Sequence, residues 1–153
     1  MVKLILFVIL LCPGITFAQD VSDEYCLAET IYFEARNQQL LGQIAVGLVA
    51  MNRVHSSKFP DTYCDVTRQA KRDVNGRIIK YKCQFSYYCD GLLEHVSEEE
   101  AWVTAKLVSK VILDQDHEDI TYGALYYHST KVSPYWNTVY KETVQIGDHI
   151  FYK

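Results

Sequence analysis

Four cysteines constrain most strongly what this chain can fold into, because they allow two covalent cross-links in a small domain. Cys26, Cys64, Cys83 and Cys89 all follow the first twenty residues. An even number of cysteines in a short exported chain is typical of a disulfide framework. Four cysteines allow three pairings, and the sequence does not choose among them. We take Cys26–Cys64 with Cys83–Cys89 as a working hypothesis.

The N-terminal segment indicates export. Lys3 gives it a basic start, Leu4 to Leu11 is continuously apolar, and Thr16-Phe17-Ala18 places small residues at the outer positions of its end. This order predicts a secretory signal peptide over residues 1–18. The apolar run is short for a membrane span, and an uncleaved membrane anchor is the alternative. We expect an exported protein, periplasmic or extracellular, with one domain over residues 19–153.

Charge and motif content argue against several other classes of protein. The formal charge of −4 disfavours nucleic acid as the main partner. Zinc is the competing use for the cysteines, since five histidines are also present. However, neither Cys-x-x-Cys nor His-Glu-x-x-His occurs in the chain. We therefore predict no metal and no cofactor, and we expect a monomer with no membrane span after signal cleavage.

Hydrophobic periodicity predicts three helices. The first begins at a cap provided by Ser22 or Asp23 and runs to about Arg36, and the second covers about Leu40 to Val54. A third helix follows the capping box formed by Ser97 and Glu100 and fades in the polar stretch 114–119. These helices form most of the predicted core.

Turn signals place the β structure. Asn75-Gly76 predicts a two-residue hairpin turn, with Ile78-Ile79 beginning the return strand. The region after the third helix reads as short strands and loops, with a turn at Gly147-Asp148. The predicted fold class is therefore α+β, a small mainly helical domain with a β-rich C-terminal part.

Glu34 is the strongest candidate for a catalytic group. Leu27, Ile31 and Glu34 are separated by four and then three positions, so they share one face of the first helix. A carboxylate on an apolar stripe loses hydration, which favours the protonated acid. Such a group can donate a proton to a leaving oxygen. The alternative is an ordinary glutamate at a helix end whose carboxylate reaches water.

Aromatic and polar residues near loop signals indicate a groove suited to sugars. Sugar rings stack on aromatic planes through their C–H faces, while their hydroxyl groups need polar partners. The aromatic residues are Tyr87-Tyr88, Tyr126-Tyr127 and Tyr135-Trp136, and the polar ones are Asn52, Gln84, Ser86, Asp90, His128 and Asn137. Ordinary packing in the core is the alternative for each of them. The four substrate-binding candidates are Gln84, Ser86, Tyr127 and His128, and His128 has the further alternative of a packed histidine bonded to the backbone.

Five sequence blocks resemble the SleB-type cell-wall hydrolase family. They occur in the family's order and cover nearly all of the chain after residue 18: ETIYFEARNQQLLGQIAVGLVAMNRV, FPDTYCDV, CQFSYYCDG, ALYYHSTKVSPYW and IGDHIFYK. The resemblance implies a small lysozyme-like catalytic domain that cleaves peptidoglycan, like the spore-cortex-lytic enzymes that act as lytic transglycosylases. The family's IYxEAR pattern falls on Ile31 to Arg36, so the resemblance implies that Glu34 is the essential glutamate.

One departure from the family pattern bears on mechanism. The family commonly continues this motif as EARGE, whereas Arg36 is followed here by Asn37 and Gln38. A mechanism with a second carboxylate at that position is therefore disfavoured. Glu29 lies on another helix face and is interpreted as a structural or solvated carboxylate. Asp90 is the better candidate for a second carboxylate, with capping of its own turn as the alternative.

The function predicted from these features is cleavage of the N-acetylmuramic acid–N-acetylglucosamine bond by one glutamate acting first as acid and then as base. A lysozyme-like hydrolase would need a second carboxyl group. An amidase acting on the stem peptide would normally use zinc or a nucleophile with a base, and neither pattern is visible. The remaining alternative is a peptidoglycan-binding module without catalysis.

Overall fold

The described part of the protein, residues 21–114 and 116–153 of a computed structural model, contains four helices and five strands. In chain order they are α1 (Asp23–Ala35), α2 (Leu40–Val54), α3 (Tyr63–Thr67), β1 (Ala70–Arg72), β2 (Ile78–Cys83), α4 (Glu99–Asp114), β3 (Tyr126–Ser129), β4 (Glu142–Ile146) and β5 (His149–Tyr152). Two short 3₁₀ turns cover Ser86–Cys89 and Tyr135–Thr138. The α+β prediction is confirmed. The predicted signal peptide, residues 1–18, lies outside the described residues.

The three predicted helices form, although one predicted cap does not. Ser22 caps α1 by accepting a hydrogen bond from the Tyr25 N–H at 3.2 Å. The Ser97 capping box is wrong. The N–H groups of Ser97 and Glu98 both donate to the Tyr32 hydroxyl at 3.1 Å, so a side chain of α1 satisfies the start of α4. This long-range cap ties α4 to the helix that carries Glu34.

The main core lies where α1, α2 and α4 meet. Leu27 and Ile31 on α1 and Ile112 on α4 are completely buried. A Cβ atom at Gly47 would lie 3.2 Å from side-chain atoms of both Ile31 and Ile112, so the glycine allows α2 to approach the two helices closely. Each fully buried side chain of this size contributes about 1.5–3 kcal/mol through the hydrophobic effect. The core therefore fixes the direction of α1 and with it the position of Glu34.

Two disulfides form, with the pairing of the working hypothesis. Cys26–Cys64 joins α1 to α3, and Cys83–Cys89 joins the end of β2 to the first 3₁₀ turn. A cross-link that closes a loop of 38 residues stabilises the fold by roughly 4 kcal/mol in the chain-entropy view, and the short loop by roughly 2 kcal/mol. Disulfides of this kind are typical of oxidising compartments. The shorter one holds a turn that reaches the candidate site.

The strands form two separate antiparallel sheets. β1 and β2 form the predicted hairpin, with Gly76 at φ +79°, but residues 73–77 connect the two strands, so the predicted two-residue turn is wrong. The second sheet has the order β3-β5-β4 and packs Phe151 against Ala45 and Val49 of α2. The sequence did not predict α3, a single turn capped by Thr62. No helix in the described ranges has the length and apolar character needed to span a bilayer.

Candidate active site

Glu34 lies in the last turn of α1, where its carboxylate is surrounded by polar donors. Ser86 Oγ donates to Oε1 at 3.2 Å, and the Tyr127 hydroxyl donates to Oε2 at 3.0 Å. The Tyr87 N–H makes a longer contact of 3.5 Å with Oε1. Leu27 and Ile31 are buried as predicted, but Glu34 is half-buried. The expectation of an acid enclosed by apolar groups is therefore wrong for the carboxylate, which is held by hydrogen bonds.

Tyr127 provides the best-defined of these donors. It lies on β3, opposite Phe151 of β5, and its ring packs against Phe151 at 5.7 Å and edge-on to His149 at 5.1 Å. Burial raises the pKa of Tyr127 well above its ordinary value, and the negative charge of Glu34 raises it further. The hydroxyl therefore keeps its proton throughout the neutral range. It remains available as a hydrogen-bond donor to the carboxylate.

The turn Ser86–Cys89 brings the other two donors to Glu34. The Tyr87 ring stacks on Phe33 of α1 at 5.2 Å, and its hydroxyl forms a hydrogen bond of 2.9 Å with Thr30 Oγ1. The Cys83–Cys89 disulfide closes the same turn from outside. Ser86 and Tyr87 are therefore anchored to the helix that carries the acid. The sequence predicted Ser86 but gave no role to the backbone of Tyr87.

Arg53 is a buried cation close to this site that the sequence analysis missed. Its guanidinium carbon lies 4.8 Å from the ring centre of Phe85 and 5.1 Å from that of Phe59. Its Nε donates to the Leu125 carbonyl at 2.8 Å, which links α2 to the segment before β3. Burial lowers the pKa of Arg53, while the charge of Glu34 acts in the opposite direction. The sequence feature that could have indicated a buried arginine is its position in the last turn of a largely apolar helix.

The structure does not bring His128 into the site. Its side chain is buried, with Nδ1 bonded to the Ser129 carbonyl at 2.9 Å and Nε2 bonded to the Tyr152 hydroxyl at 2.9 Å. Neighbouring residues of a strand point to opposite faces. Since Tyr127 faces Glu34, His128 faces away from it. The substrate-binding assignment of His128 is corrected to that of a packed histidine, the alternative considered from sequence.

Of the other polar candidates, Gln84 lies in a groove, whereas Asn52 and Asn137 support loops. Gln84 is exposed and lines the groove described below. Asn52 instead donates to Asp119 at 3.0 Å and to the Ala124 carbonyl at 3.1 Å, which fixes the loop before β3. Asn137 donates to Ser133 at 3.1 Å within its own turn. Asn52 and Asn137 therefore support the loops that surround the site.

Three other carboxylates near the site, the sequence candidates Asp90 and Glu29 and also Glu98, which lines the same depression as Glu34, form contacts of their own. Asp90 accepts from the Leu92 N–H at 2.7 Å and so caps its own turn. Glu98 forms an ion pair of 2.9 Å with Arg36. Glu29 is buried and paired with Arg68 at 3.2 Å, which makes it a structural carboxylate. Neither Asp90, Glu98 nor Glu29 forms a hydrogen bond with Glu34.

Gln38 stands where the EARGE pattern has its second glutamate, and it contacts the β4–β5 turn. Its Oε1 accepts from the Asp148 N–H at 3.1 Å, and its Nε2 lies 3.4 Å from Asp148 Oδ2. An amide can donate and accept at once, whereas a glutamate here would place two carboxylates together. A Cβ atom at Gly147, which has φ +57°, would lie 2.7 Å from Gln38 Oε1. Gln38 thus joins the end of α1 to the β4–β5 turn.

Glu34 itself lines a depression of about 400 Å³ together with Phe33, Arg36, Asn37 and Glu98, and its hydrogen-bond donors line two further ones. The first, the Phe33 cleft, encloses about 260 Å³ and is lined by Phe33, Arg36, Ser86, Tyr87, Asp90, Leu92, Leu93 and Glu94. The second, the tyrosine groove, encloses about 290 Å³ and is lined by Arg53, Cys83, Gln84, Tyr126, Tyr127, Tyr135, Trp136 and Tyr140. Ser86 lines the first and Tyr127 the second, and both donate to Glu34. Hydrogen bonds from Ser86 and Tyr127 therefore connect the Glu34 carboxylate to both of these depressions.

Comparison with known proteins places the chain in a family. The family model described as Cell Wall Hydrolase matches residues 37–152, more than two thirds of the sequence. The chain belongs to the cell wall hydrolase family. The match begins at residue 37, so the family model does not cover Glu34.

Relatives of this cell wall hydrolase include spore cortex-lytic enzymes. That of Bacillus cereus is 33% identical over 134 residues, covering 86% of this chain and 44% of the relative. That of Oceanobacillus iheyensis is 30% identical over 145 residues, covering 92% of this chain and 46% of the relative. The chain thus spans less than half the length of these curated relatives.

Two solved structures share the fold. The catalytic domain of the Bacillus cereus SleB protein is 30% identical with a TM-score of 0.63, and the match covers 86% of this chain and 89% of that one. The catalytic domain of the germination-specific lytic transglycosylase SleB from Bacillus anthracis is 29% identical with a TM-score of 0.66. That match covers 93% of this chain and all of the solved domain. This cell wall hydrolase therefore shares the fold of both solved catalytic domains.

Proposed function

We propose that this protein is an exported lytic transglycosylase that cleaves the glycan strands of peptidoglycan between N-acetylmuramic acid and N-acetylglucosamine. The observation that carries the proposal is the half-buried carboxylate of Glu34, which is held by three neutral donors, two of which line the Phe33 cleft and one the tyrosine groove. The similarity to a SleB domain described as a lytic transglycosylase supports the same reaction. The two disulfides support an oxidising location, periplasmic or extracellular.

Glu34 serves first as the general acid. The protonated carboxyl group transfers its proton to the oxygen that links the muramic acid to the next sugar, and the bond from that oxygen to the anomeric carbon breaks. The leaving N-acetylglucosamine takes the proton as a new hydroxyl group. Positive charge that develops at the anomeric carbon is then close to the Glu34 carboxylate. The Tyr127 and Ser86 hydroxyls stabilise that carboxylate as it forms.

Glu34 serves next as the base. Its carboxylate takes the proton from the 6-hydroxyl of the same muramic acid, and the hydroxyl oxygen attacks the anomeric carbon. The product is a 1,6-anhydro ring, and the proton returned to Glu34 restores the starting state. Because the nucleophile is part of the substrate, no ordered water and no second carboxylate are needed. This requirement fits a site in which Asp90 and Glu98 are engaged in other contacts.

The identity of the products tests this proposal. Purified sacculi are digested with the secreted protein, and the released fragments are analysed by mass spectrometry. The proposal predicts strands that end in 1,6-anhydromuramic acid. Reducing ends would instead identify a lysozyme-like hydrolase, and free stem peptides would identify an amidase. Absence of any released fragment would identify a binding module without catalysis.

A further inference from the structure

The β1–β2 hairpin carries a positive charge that contrasts with the acidic chain. Residues 70–83 contain five basic side chains and one acidic one, whereas the whole protein has a formal charge of −4. None of the ion pairs found within the described ranges includes a hairpin residue. Arg72 donates to the Gly76 carbonyl at 2.9 Å, and Lys80 lies over the Tyr81 ring at 4.9 Å. Lys71 and Lys82 remain the exposed cations of the groove beside the hairpin.

This groove, which we call the hairpin groove, encloses about 510 Å³. It is lined by Gln69, Ala70, Lys71, Tyr81, Lys82, Cys83, Gln84, Tyr135 and Trp136. Two of its aromatic rings are unusually open to solvent, since Tyr135 is 89% exposed and Tyr81 is 69% exposed. Large exposed aromatic side chains beside a concave surface are typical of binding sites. The hairpin groove therefore combines flat apolar surfaces with two cations.

Tyr81 adds an independent observation. Its backbone has φ +60°, in the left-handed region that residues with a Cβ atom rarely adopt. The conformation costs about 1–2 kcal/mol, and such strain is concentrated at ligand sites. Here it accompanies an exposed ring that lines the hairpin groove.

The hairpin groove is continuous with the site at Glu34. Gln84, Tyr135 and Trp136 line both it and the tyrosine groove, and Tyr127 of the tyrosine groove donates to the carboxylate. A polymer that passes Glu34 along the tyrosine groove therefore continues past Lys71 and Lys82. A negatively charged group of that polymer would lie beside these two cations.

We propose that the hairpin groove binds the acidic stem peptide of a muramic acid residue some distance from the cleaved bond, with Lys71 and Lys82 facing its carboxylates. The inference rests on the proposed cleavage of glycan strands. The sugars of such a strand are neutral, whereas the peptides attached to the muramic acids carry free carboxylates. Two cations beside aromatic surfaces thus discriminate peptide-bearing strands from strands without peptides. Exposed pairs of this kind contribute little each, so together they change affinity by roughly 3- to 30-fold.

The test compares two soluble glycan strands of equal length, one with its stem peptides and one from which an amidase has removed them. kcat/KM is measured on both for the wild-type protein, for the double variant Lys71→Gln/Lys82→Gln, and for the charge-matched control Lys106→Gln/Lys110→Gln on α4. The wild-type protein and the control are expected to prefer the peptide-bearing strand by roughly 3- to 30-fold, and the hairpin variant is expected to lose most of that preference. Added salt should reduce the preference of the wild-type protein. The substitutions of the exposed Lys71 and Lys82 should leave the melting temperature unchanged.

The outcomes separate this inference from the proposed function. Equal cleavage of the two strands by the wild-type protein overturns the inference and leaves the proposed function intact. A hairpin variant with undiminished preference also overturns it. If neither strand is cleaved, the proposed function fails. The inference is then tested by the dissociation constants of the two strands: tighter binding of the peptide-bearing strand supports it, and equal binding overturns it. A poly(glycerol phosphate) chain that competes through the same lysines more strongly than free stem peptide would assign the groove to a phosphate polymer and overturn the inference.

Discussion

Glu29 and Glu34 are five residues apart on α1 but have very different surroundings. Glu29 is 7% exposed and forms an ion pair of 3.2 Å with Arg68. Glu34 is half-buried, accepts hydrogen bonds from neutral donors, and lines a surface depression. A desolvated ion pair joins two parts of the chain and needs both charges. Hydroxyl groups can donate to a carboxylate and accept from a carboxylic acid, so the surroundings of Glu34 suit a group that exchanges its proton.

Glu34→Gln should have the largest effect, and the effect should be on activity and not on stability. The amide has the same shape but cannot transfer a proton, so release of fragments from sacculi should fall by roughly 10³-fold or more. The midpoint of thermal unfolding should change little, because the glutamine amide can still accept a hydrogen bond at one position and donate to a hydroxyl at the other. Fragment release by the purified variant measures the effect. Activity within tenfold of the wild-type protein would remove Glu34 from the mechanism.

Glu29→Gln is the matched control and should act on stability instead. The change leaves Arg68 without its carboxylate partner in a partly buried position, which should lower the free energy of unfolding by roughly 2–4 kcal/mol. Denaturant titration measures this loss. Below the unfolding transition the variant should retain most of its turnover, since Glu29 does not contact the grooves. A folded but inactive Glu29 variant would mean that both carboxylates take part in catalysis.

Tyr127→Phe should show how much the Tyr127 hydroxyl contributes to the function of Glu34. The ring still packs against Phe151, but the donor at 3.0 Å from the carboxylate is lost. Turnover should fall by roughly 10- to 100-fold with a smaller change in KM, because one stabilising hydrogen bond is missing as the carboxylate forms. Ser86→Ala removes the more exposed donor and should have a smaller effect. The reverse order would make Ser86 the principal donor.

The smallest effect concerns acid stability near the site. Burial lowers the pKa of His149 below its ordinary value, with nearby Asp148 acting in the opposite direction and His128 in the same one. The folded protein therefore disfavours the charged histidine, so this contribution to stability is present at neutral pH and is lost as the pH falls below about 6.5. His149→Gln should flatten the dependence of the unfolding midpoint on pH between about 5 and 7, with a change in proton uptake of about one proton per molecule at most. An unchanged slope would assign the dependence to other groups.

Local patterns predicted much of the fold. The periodicity of residues 23–54 gave α1 and α2 nearly to the residue, because apolar residues at helical spacing have one natural way to be buried. The positions of the turns at Asn75-Gly76 and Gly147 were also visible, because glycine adopts positive φ more readily than other residues. The cap of α4 could not be predicted. Its acceptor is Tyr32, which is more than sixty residues away in the chain.

The site was predicted only where a single residue carried the signal. Glu34 stood out in its helix, but the contact with Tyr127 spans 93 residues and depends on how β3 packs. The assignment of His128 ignored the alternation of side chains along a strand, which the sequence could have supplied. The role of Gln38 was also hidden. The Gln38 side chain contacts Asp148, which is 110 residues away in the chain, and this contact becomes visible only in the folded structure.

Digestion of sacculi in water enriched in ¹⁸O tests the central claim most directly. If Glu34 acts as both acid and base, the oxygen that closes the new bond comes from the 6-hydroxyl of the muramic acid. The account predicts fragments that carry no ¹⁸O at the cleaved end and are lighter than the hydrolytic product by one water. Fragments with one ¹⁸O at a reducing end would show that water is the nucleophile, and they would contradict the single-carboxylate mechanism.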